Sequence, residues 1–292
     1  MATEAHTPET ALIETPSTET RTTAQNNQHA GGSRRRIGWF KRADQWFNRF
    51  VKLASAVHEG FWLGCLSADD LNALTAGHYQ RSQEYSSAEH NQRGLFDWET
   101  AVLNRYFERG SRILVAAAGG GREVLALRGI GHRAEGFECS AALVQAADAL
   151  FNQLGEGRGV TLSAPDEVPA GPSMYEGLIA GWSAYTHIPT RGRRVAFLER
   201  LRKRAVQGAP VLVSFFPRDK APSYEKLVHT AARVSRLLFR GRRENSEIGD
   251  HLSWCFSHTF TREEVEAELS AAGFRLVYYS EVGEGHAVGV AE

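Results

Sequence analysis

TREEVEAELSAAGFRLVYYSEVGEGHAVGV, residues 261–290, is the stretch that decides between the candidate folds. Thr261-Arg262-Glu263-Glu264 has the form of a capping box: a hydroxyl for an orphan N–H in the first turn, and a Glu reaching back to the cap. The helix it opens runs through Ala272, and Gly273 ends it. Phe274 to Tyr279 and His286 to Val290 read as strands joined by Glu281-Val282-Gly283-Glu284-Gly285. A short glycine-containing loop between two strands predicts a hairpin, so the last strand should run antiparallel to its neighbour.

Upstream the pattern alternates. Strands are expected at Ile113 to Ala118, Ala134 to Glu138, Val160 to Ser163, Gly177 to Trp182 and Pro210 to Phe216. Helices are expected at Arg122 to Arg128, Ala141 to Leu154 and Phe197 to Val206. The strands are apolar throughout rather than alternating, as when helices cover both faces of a parallel sheet. The predicted fold class is α/β: a Rossmann-like seven-stranded sheet with an antiparallel last strand and helices on both faces.

A helical lead-in precedes this domain. Ser67 with Asp70 predicts a capped helix start, and Phe96 to Phe107 a further helix with Leu103 and Phe107 inward. Trp39, Phe40, Trp46, Phe47, Phe50, Val51 and Leu53 recur at helical spacing among Lys and Arg, which fits a helix packed on the following domain or one lying on a membrane surface. Residues 1–33 have almost no large apolar side chains and are expected to be a disordered tail. The organisation expected is 1–33 tail, 34–110 helical extension forming a cap, and 111–292 α/β domain with an insertion at 217–259.

The 292 residues carry 34 basic and 34 acidic side chains, so no global field draws the chain to nucleic acid or membrane. The local basic runs Arg34–Arg36, Arg191–Arg194 and Arg240–Arg243 are expected on solvated surface. Three scattered cysteines, Cys65, Cys139 and Cys255, give no disulfide framework and no zinc spacing. No signal-like segment and no spanning apolar run is visible, so a cytoplasmic protein without stable membrane insertion is expected.

The succession Ile113-Leu114-Val115-Ala116-Ala117-Ala118-Gly119-Gly120-Gly121, then Glu138, then the closing hairpin, resembles the class I SAM-dependent methyltransferases over roughly residues 92 to 292. The resemblance implies S-adenosyl-L-methionine as cofactor and methyl transfer as the reaction. It aligns Ala117, Gly119 and Gly121 with the family's G-x-G-x-G turn, and puts Val115 where an acid is usual. It gives Glu138, at the end of the second strand, the ribose hydroxyls. Ala164 stands where an acid often meets the adenine amino group, and Asp166 is the nearest substitute. The segment after the fourth strand implies Gly181 beside the cofactor and Trp182 or Tyr185 in the pocket wall. Arg122, directly after the glycines, is expected to be solvated.

The same resemblance places the acceptor site between the lead-in and the 217–259 insertion. A hydroxyl or amine acceptor needs a base. The candidate catalytic residues are His258, just before the capped helix, and His187; His90 and Tyr79 are alternatives, with Tyr85 and Asn91 as lid contacts. Glu247, Asp250 and His251 are further polar candidates in the insertion, but their spacing fits no metal signature, so no metal is expected. The expected acceptor is a small molecule, sugar or glycan, or peptide-derived compound, with O-methylation favoured. No Asn/Asp-Pro-Pro-aromatic motif for a flipped base is present, so no nucleic-acid partner is expected. The alternatives are a non-catalytic SAM-binding module and an NAD(P)-dependent oxidoreductase. Val124 stands where the dinucleotide fingerprint wants Gly or Ala.

Overall fold

The computed structural model describes residues 22–81, 83–172, 174–218, 223–238, 245–282 and 284–292, with side chains from Arg35 onward. The chain divides into two compact units, Met1–Lys52 and Leu53–Glu292. Most of the expected tail lies outside the described residues. Helix α1, Thr22–Cys65, starts within its range. Trp39, Phe40, Trp46, Phe47 and Phe50 are all exposed.

The second unit begins with the last turns of α1 and continues through α2 (Ala68–Arg81), α3 (Gln83–Ser86), α4 (Ala88–Asn91) and α5 (Asp97–Tyr106). The Ser67 cap forms as expected: Ser67 N donates to Asp70 Oδ2 at 2.7 Å, and Asp70 N to Ser67 Oγ at 3.0 Å.

Alternation follows: β1 (Arg112–Ala116), α6 (Arg122–Gly129), β2 (Arg133–Glu138), α7 (Ala141–Gln153), β3 (Val160–Leu162), β4 (Gly177–Ala180), a 3-10 turn (Ala184–His187), α8 (Arg191–Arg202) and β5 (Pro210–Pro217). The chain then forms α9 (Ser223–Leu238), β6 (Asp250–Leu252), β7 (Phe256–Phe260), α10 (Arg262–Ala271), β8 (Phe274–Ser280) and β9 (Gly285–Ala291). Strands β3, β2, β1, β4 and β5 lie side by side in that order and all parallel. β9 runs antiparallel to β5, with Pro210 opposite Val290, and antiparallel to β8. These are the seven expected strands with the expected reversal at the end.

Two further strands come from the insertion. β5 outlasts β9, and its last residues pair with β7 in parallel, Phe216 opposite Thr259, with β6 completing a small hairpin. Successive β1 residues face opposite ways, as the pleat requires. Leu114 and Ala116 join Leu178, Val213, Phe197, Leu201 and Leu269 on one face. Ile113 and Val115 join Ile179, Val124, Leu127, Val144 and Phe151 on the other. Each sheet face therefore buries its own apolar layer.

A third apolar cluster lies under the insertion, where Ala56, Leu63 and Leu71 meet Val228, Ala232 and Phe256. A Cβ on Gly60 would stand 2.4 Å from the Val228 carbonyl oxygen, and one on Gly64 2.5 Å from that of Ala232. The two helices thus touch backbone to backbone, which requires glycine at both places.

Helix α8 starts six residues before the expected Phe197, because Thr190 Oγ1 accepts from Arg193 N at 3.4 Å and caps it. This corrects the reading of Arg191–Arg194 as a solvated run. Arg194 is fully buried, its Nη2 2.7 Å from Glu268 and 2.7 Å from Glu247.

Candidate active site

At the C-terminal ends of β1, β2 and β4 a cavity opens, roofed by α2, α3 and α4. Open α/β sheets bind ligands at this edge, where the strand order reverses between β1 and β4. Its floor is the turn after β1. Ala117 has φ 51° and Gly119 φ 54°, both left-handed. Glycine adopts that conformation freely, whereas alanine does so at about 1–2 kcal/mol. A Cβ on Gly119 would meet nothing within 4 Å, so the turn stays open there.

Glu138, at the end of β2, holds this turn in place. Its Oε1 accepts from Cys139 N and Ser140 N, both at 2.8 Å, and its Oε2 from Gly119 N at 3.1 Å. A carboxylate has about four lone-pair sites. Three are taken, and the remaining capacity is on Oε2.

The expected site residues divide. Ala117, Gly119, Glu138, Asp166, Trp182 and His187 line the cavity, whereas Gly121, Gly181 and His258 do not. Gly121 caps α6 with φ 97°, and a Cβ there would meet the Phe151 ring at 2.5 Å. Gly181 makes room for protein, not ligand: a Cβ would stand 2.6 Å from the Ala117 carbonyl oxygen. Gly120 lines the cavity instead, facing Asn91 Nδ2. Asp166 Oδ2 is taken by Asn72 Nδ2 at 2.8 Å, with Arg193 Nη1 at 3.6 Å.

His258 is buried behind the cavity wall, its Nδ1 2.7 Å from Asp250 Oδ1. Burial pushes the His258 imidazole well below its ordinary pKa and the Asp250 carboxyl above its own. A neutral imidazole donating Nδ1–H to a carboxylate follows at neutral pH. Glu247, Asp250 and His258 offer ligand atoms within 4.8 Å of one another. Arg194 already supplies a cation there, 2.7 Å from Glu247. The cluster braces the insertion against α8 and α10.

His187 sits differently. Its Nδ1 is 2.7 Å from the Phe256 carbonyl oxygen, an acceptor only, so Nδ1 carries the proton. Nε2 is then the acceptor, and the Tyr79 hydroxyl donates to it at 2.8 Å. Burial lowers the His187 pKa, and burial likewise raises that of Tyr79. Both groups are therefore neutral, with their protons assigned. Tyr85, His90 and Trp182 continue this wall, the His90 ring stacked 6.3 Å from Trp182. Trp182 Nε1 is buried with no hydrogen-bond partner among the described residues.

A buried ion cluster closes the far side of the cavity. Arg122 Nη2 lies 2.7 Å from Glu99 and 2.8 Å from Glu123, and its guanidinium lies 4.3 Å from the Phe96 ring centre. The expected solvated Arg122 is 2% exposed. The sequence held one signal for this: an Arg in the first turn of a helix opposes the dipole, and two carboxylates offset that. Glu123 also accepts from Trp182 N at 3.3 Å, and burial raises its pKa. The Tyr79–His187 pair, 108 residues apart, left no trace in the sequence.

No protein-family model matches the sequence, and no curated protein matches it. Solved structures do match in shape. A SAM-dependent methyltransferase from Methanosarcina mazei shares 15% identity, covering 68% of this chain and 98% of its own, at a TM-score of 0.53. A 1,6-didemethyltoxoflavin N1-methyltransferase from Burkholderia thailandensis shares 16%, covering 77% and 91%, also at 0.53. An amino pentose methyltransferase from Micromonospora echinaspora, solved with SAM bound, shares 17%, covering 72% and 98%, at 0.50. The fold of this chain is that of the class I SAM-dependent methyltransferases.

Proposed function

We propose that this protein is a methyltransferase that takes the methyl group of S-adenosyl-L-methionine to a hydroxyl of a small-molecule, sugar or peptide-derived acceptor. The observation that carries the reading is one cavity with Glu138 and the glycine turn on one side and the Tyr79–His187 pair on the other. The residues present fit the cofactor. Glu138 Oε2 retains capacity for a ribose hydroxyl, and the open face at Gly119 admits close approach. Val115, where the family usually has an acid, is buried in the core, and the cavity carboxylate Glu123 beside the turn is already paired with Arg122 at 2.8 Å.

When bound, the cofactor supplies an activated methyl group on a sulfonium centre. The protein's part is to align the acceptor and take its proton. An acceptor hydroxyl set against Tyr79 Oη gives its proton to that oxygen, while the phenol proton moves to His187 Nε2. The Phe256 carbonyl keeps His187 in the tautomer this transfer needs. Helices α2 to α4 enclose the acceptor end with Tyr79, Tyr85 and His90, and Trp182 stands beside them.

The test is titration with S-adenosylmethionine, S-adenosylhomocysteine and NADH, followed by transfer of labelled methyl to a panel of hydroxylated small molecules. Tyr79→Phe and His187→Gln are expected to lower kcat by about 10²-fold or more while S-adenosylhomocysteine binds as before. Binding of NADH alone would overturn the reading. Tight adenosyl binding without transfer to any acceptor would favour a non-catalytic module.

A further inference from the structure

We infer that residues 37–52 of α1 form a peripheral membrane-binding helix that docks on anionic lipid. Trp39, Phe40, Ala43, Trp46, Phe47, Phe50 and Val51 fall on one side of the helix, on an arc of roughly 120–160° at 100° per residue. Lys41, Arg42, Asp44, Gln45, Asn48 and Arg49 occupy the other side. The apolar side is bare: Trp39 is 75% exposed, Trp46 70% and Phe50 67%.

Its chemistry selects the partner. Trp side chains favour the headgroup level of a bilayer, where an apolar ring carries one N–H donor. Lys and Arg beside them extend aliphatic stems along the apolar surface and lift their charges to lipid phosphates. Arg35, Arg36, Lys41, Arg42 and Arg49 are exposed, and Asp44 is the carboxylate among them, its Oδ2 already taken by Asn48. The full chain is neutral, so this positive charge is concentrated locally and complements an anionic surface. A second copy of the helix is the poorer occupant. A two-stranded seam uses a narrow a/d stripe, whereas Phe40 and Phe47 widen this face beyond it and two Trp crowd it. No helix among the described residues is long and apolar enough to cross a membrane, and this one lies in the interface instead.

The experiment is co-sedimentation of the full chain with vesicles of phosphatidylcholine containing 30% phosphatidylserine, against pure phosphatidylcholine, at two salt concentrations. The expected result is binding to the anionic vesicles that is at least tenfold weaker on neutral ones and weakens with salt. Arg42→Glu with Arg49→Glu should lower it by more than tenfold, and Trp46→Glu with Phe50→Glu should abolish it. Circular dichroism of each variant checks that the helix persists. No sedimentation with anionic vesicles, or equal sedimentation with both kinds, overturns the inference. Concentration-dependent dimers by ultracentrifugation without vesicle binding would assign the face to a second copy and equally overturn it.

Discussion

Glu138→Gln tests the proposed ribose contact of the residue that ties the glycine turn to β2. The amide oxygen will take the place of Oε1, because there it keeps the Cys139 and Ser140 N–H bonds, two against one. The NH2 group then falls at Oε2, facing the Gly119 N–H at 3.1 Å. A donor meets a donor, and the one site with spare acceptor capacity is gone. A hydrogen bond to a charged group contributes about 1.5–3 kcal/mol, so loss of one ribose contact should weaken S-adenosylhomocysteine binding on the order of 10- to 100-fold. The turn itself should lose about 1 kcal/mol, or roughly 2–4 °C in Tm. Calorimetric titration and thermal unfolding of the same sample read both numbers. A Tm that falls while affinity stays within threefold would show that Glu138 holds the turn and does not touch the ligand.

Arg122→Met leaves Glu99 and Glu123 buried without their cation, and urea unfolding should show a loss of about 3–5 kcal/mol; less than 1 kcal/mol would mean the two carboxyls share a proton or reach water. Thr261→Ala removes the cap that accepts from Glu264 N, with an expected loss of about 0.5–2 kcal/mol, and an unchanged chemical denaturation midpoint would contradict it. Acid should destabilise the fold. His90, His132, His187, His229 and His258 are all held below the ordinary imidazole pKa, in each case chiefly by burial. The unfolded chain therefore binds more protons as pH falls below about 6.5, and stability falls with it. Asp250, raised to about 6, and His251, whose burial is outweighed by Glu59 and Glu225, offset part of this. Tm should be lower at pH 5 than at pH 7, and a flat or rising profile would be the wrong sign.

The elements set by local chemistry were legible in the sequence. The Thr261 box, the stop at Gly273 and the hairpin that follows each depend on neighbours a few residues apart, and all three form as read. The apolar strand runs and Glu138 at a strand end are equally local. What escaped depends on distant partners. Arg194 looks like one more surface Arg until α10 brings Glu268 beneath it. Gly121 and Gly181 look like ligand glycines, but Phe151 and the Ala117 carbonyl are what crowd them. His258 and His187 have equal claims as bases in the sequence. Only the path of β6 and β7 buries one against Asp250 and leaves the other at the cavity. The insertion's own hairpin was not read because Asp250-His251-Leu252 has one apolar residue and Phe256–Phe260 has polar residues between its two Phe, unlike the apolar runs of β1 and β5.

The amide unit at Phe256 has a consequence of its own. Its N–H donates to Thr75 Oγ1 at 3.3 Å, and its carbonyl takes His187 Nδ1–H at 2.7 Å. The His187 tautomer is thus set by a main-chain carbonyl, and every residue type offers a carbonyl at that place. A change of side chain in the hairpin therefore leaves the imidazole tautomer as it is, provided the hairpin keeps its path. The tautomer of a cavity-lining histidine is written in backbone, and a designer can edit the side chains around that backbone while leaving the setting intact.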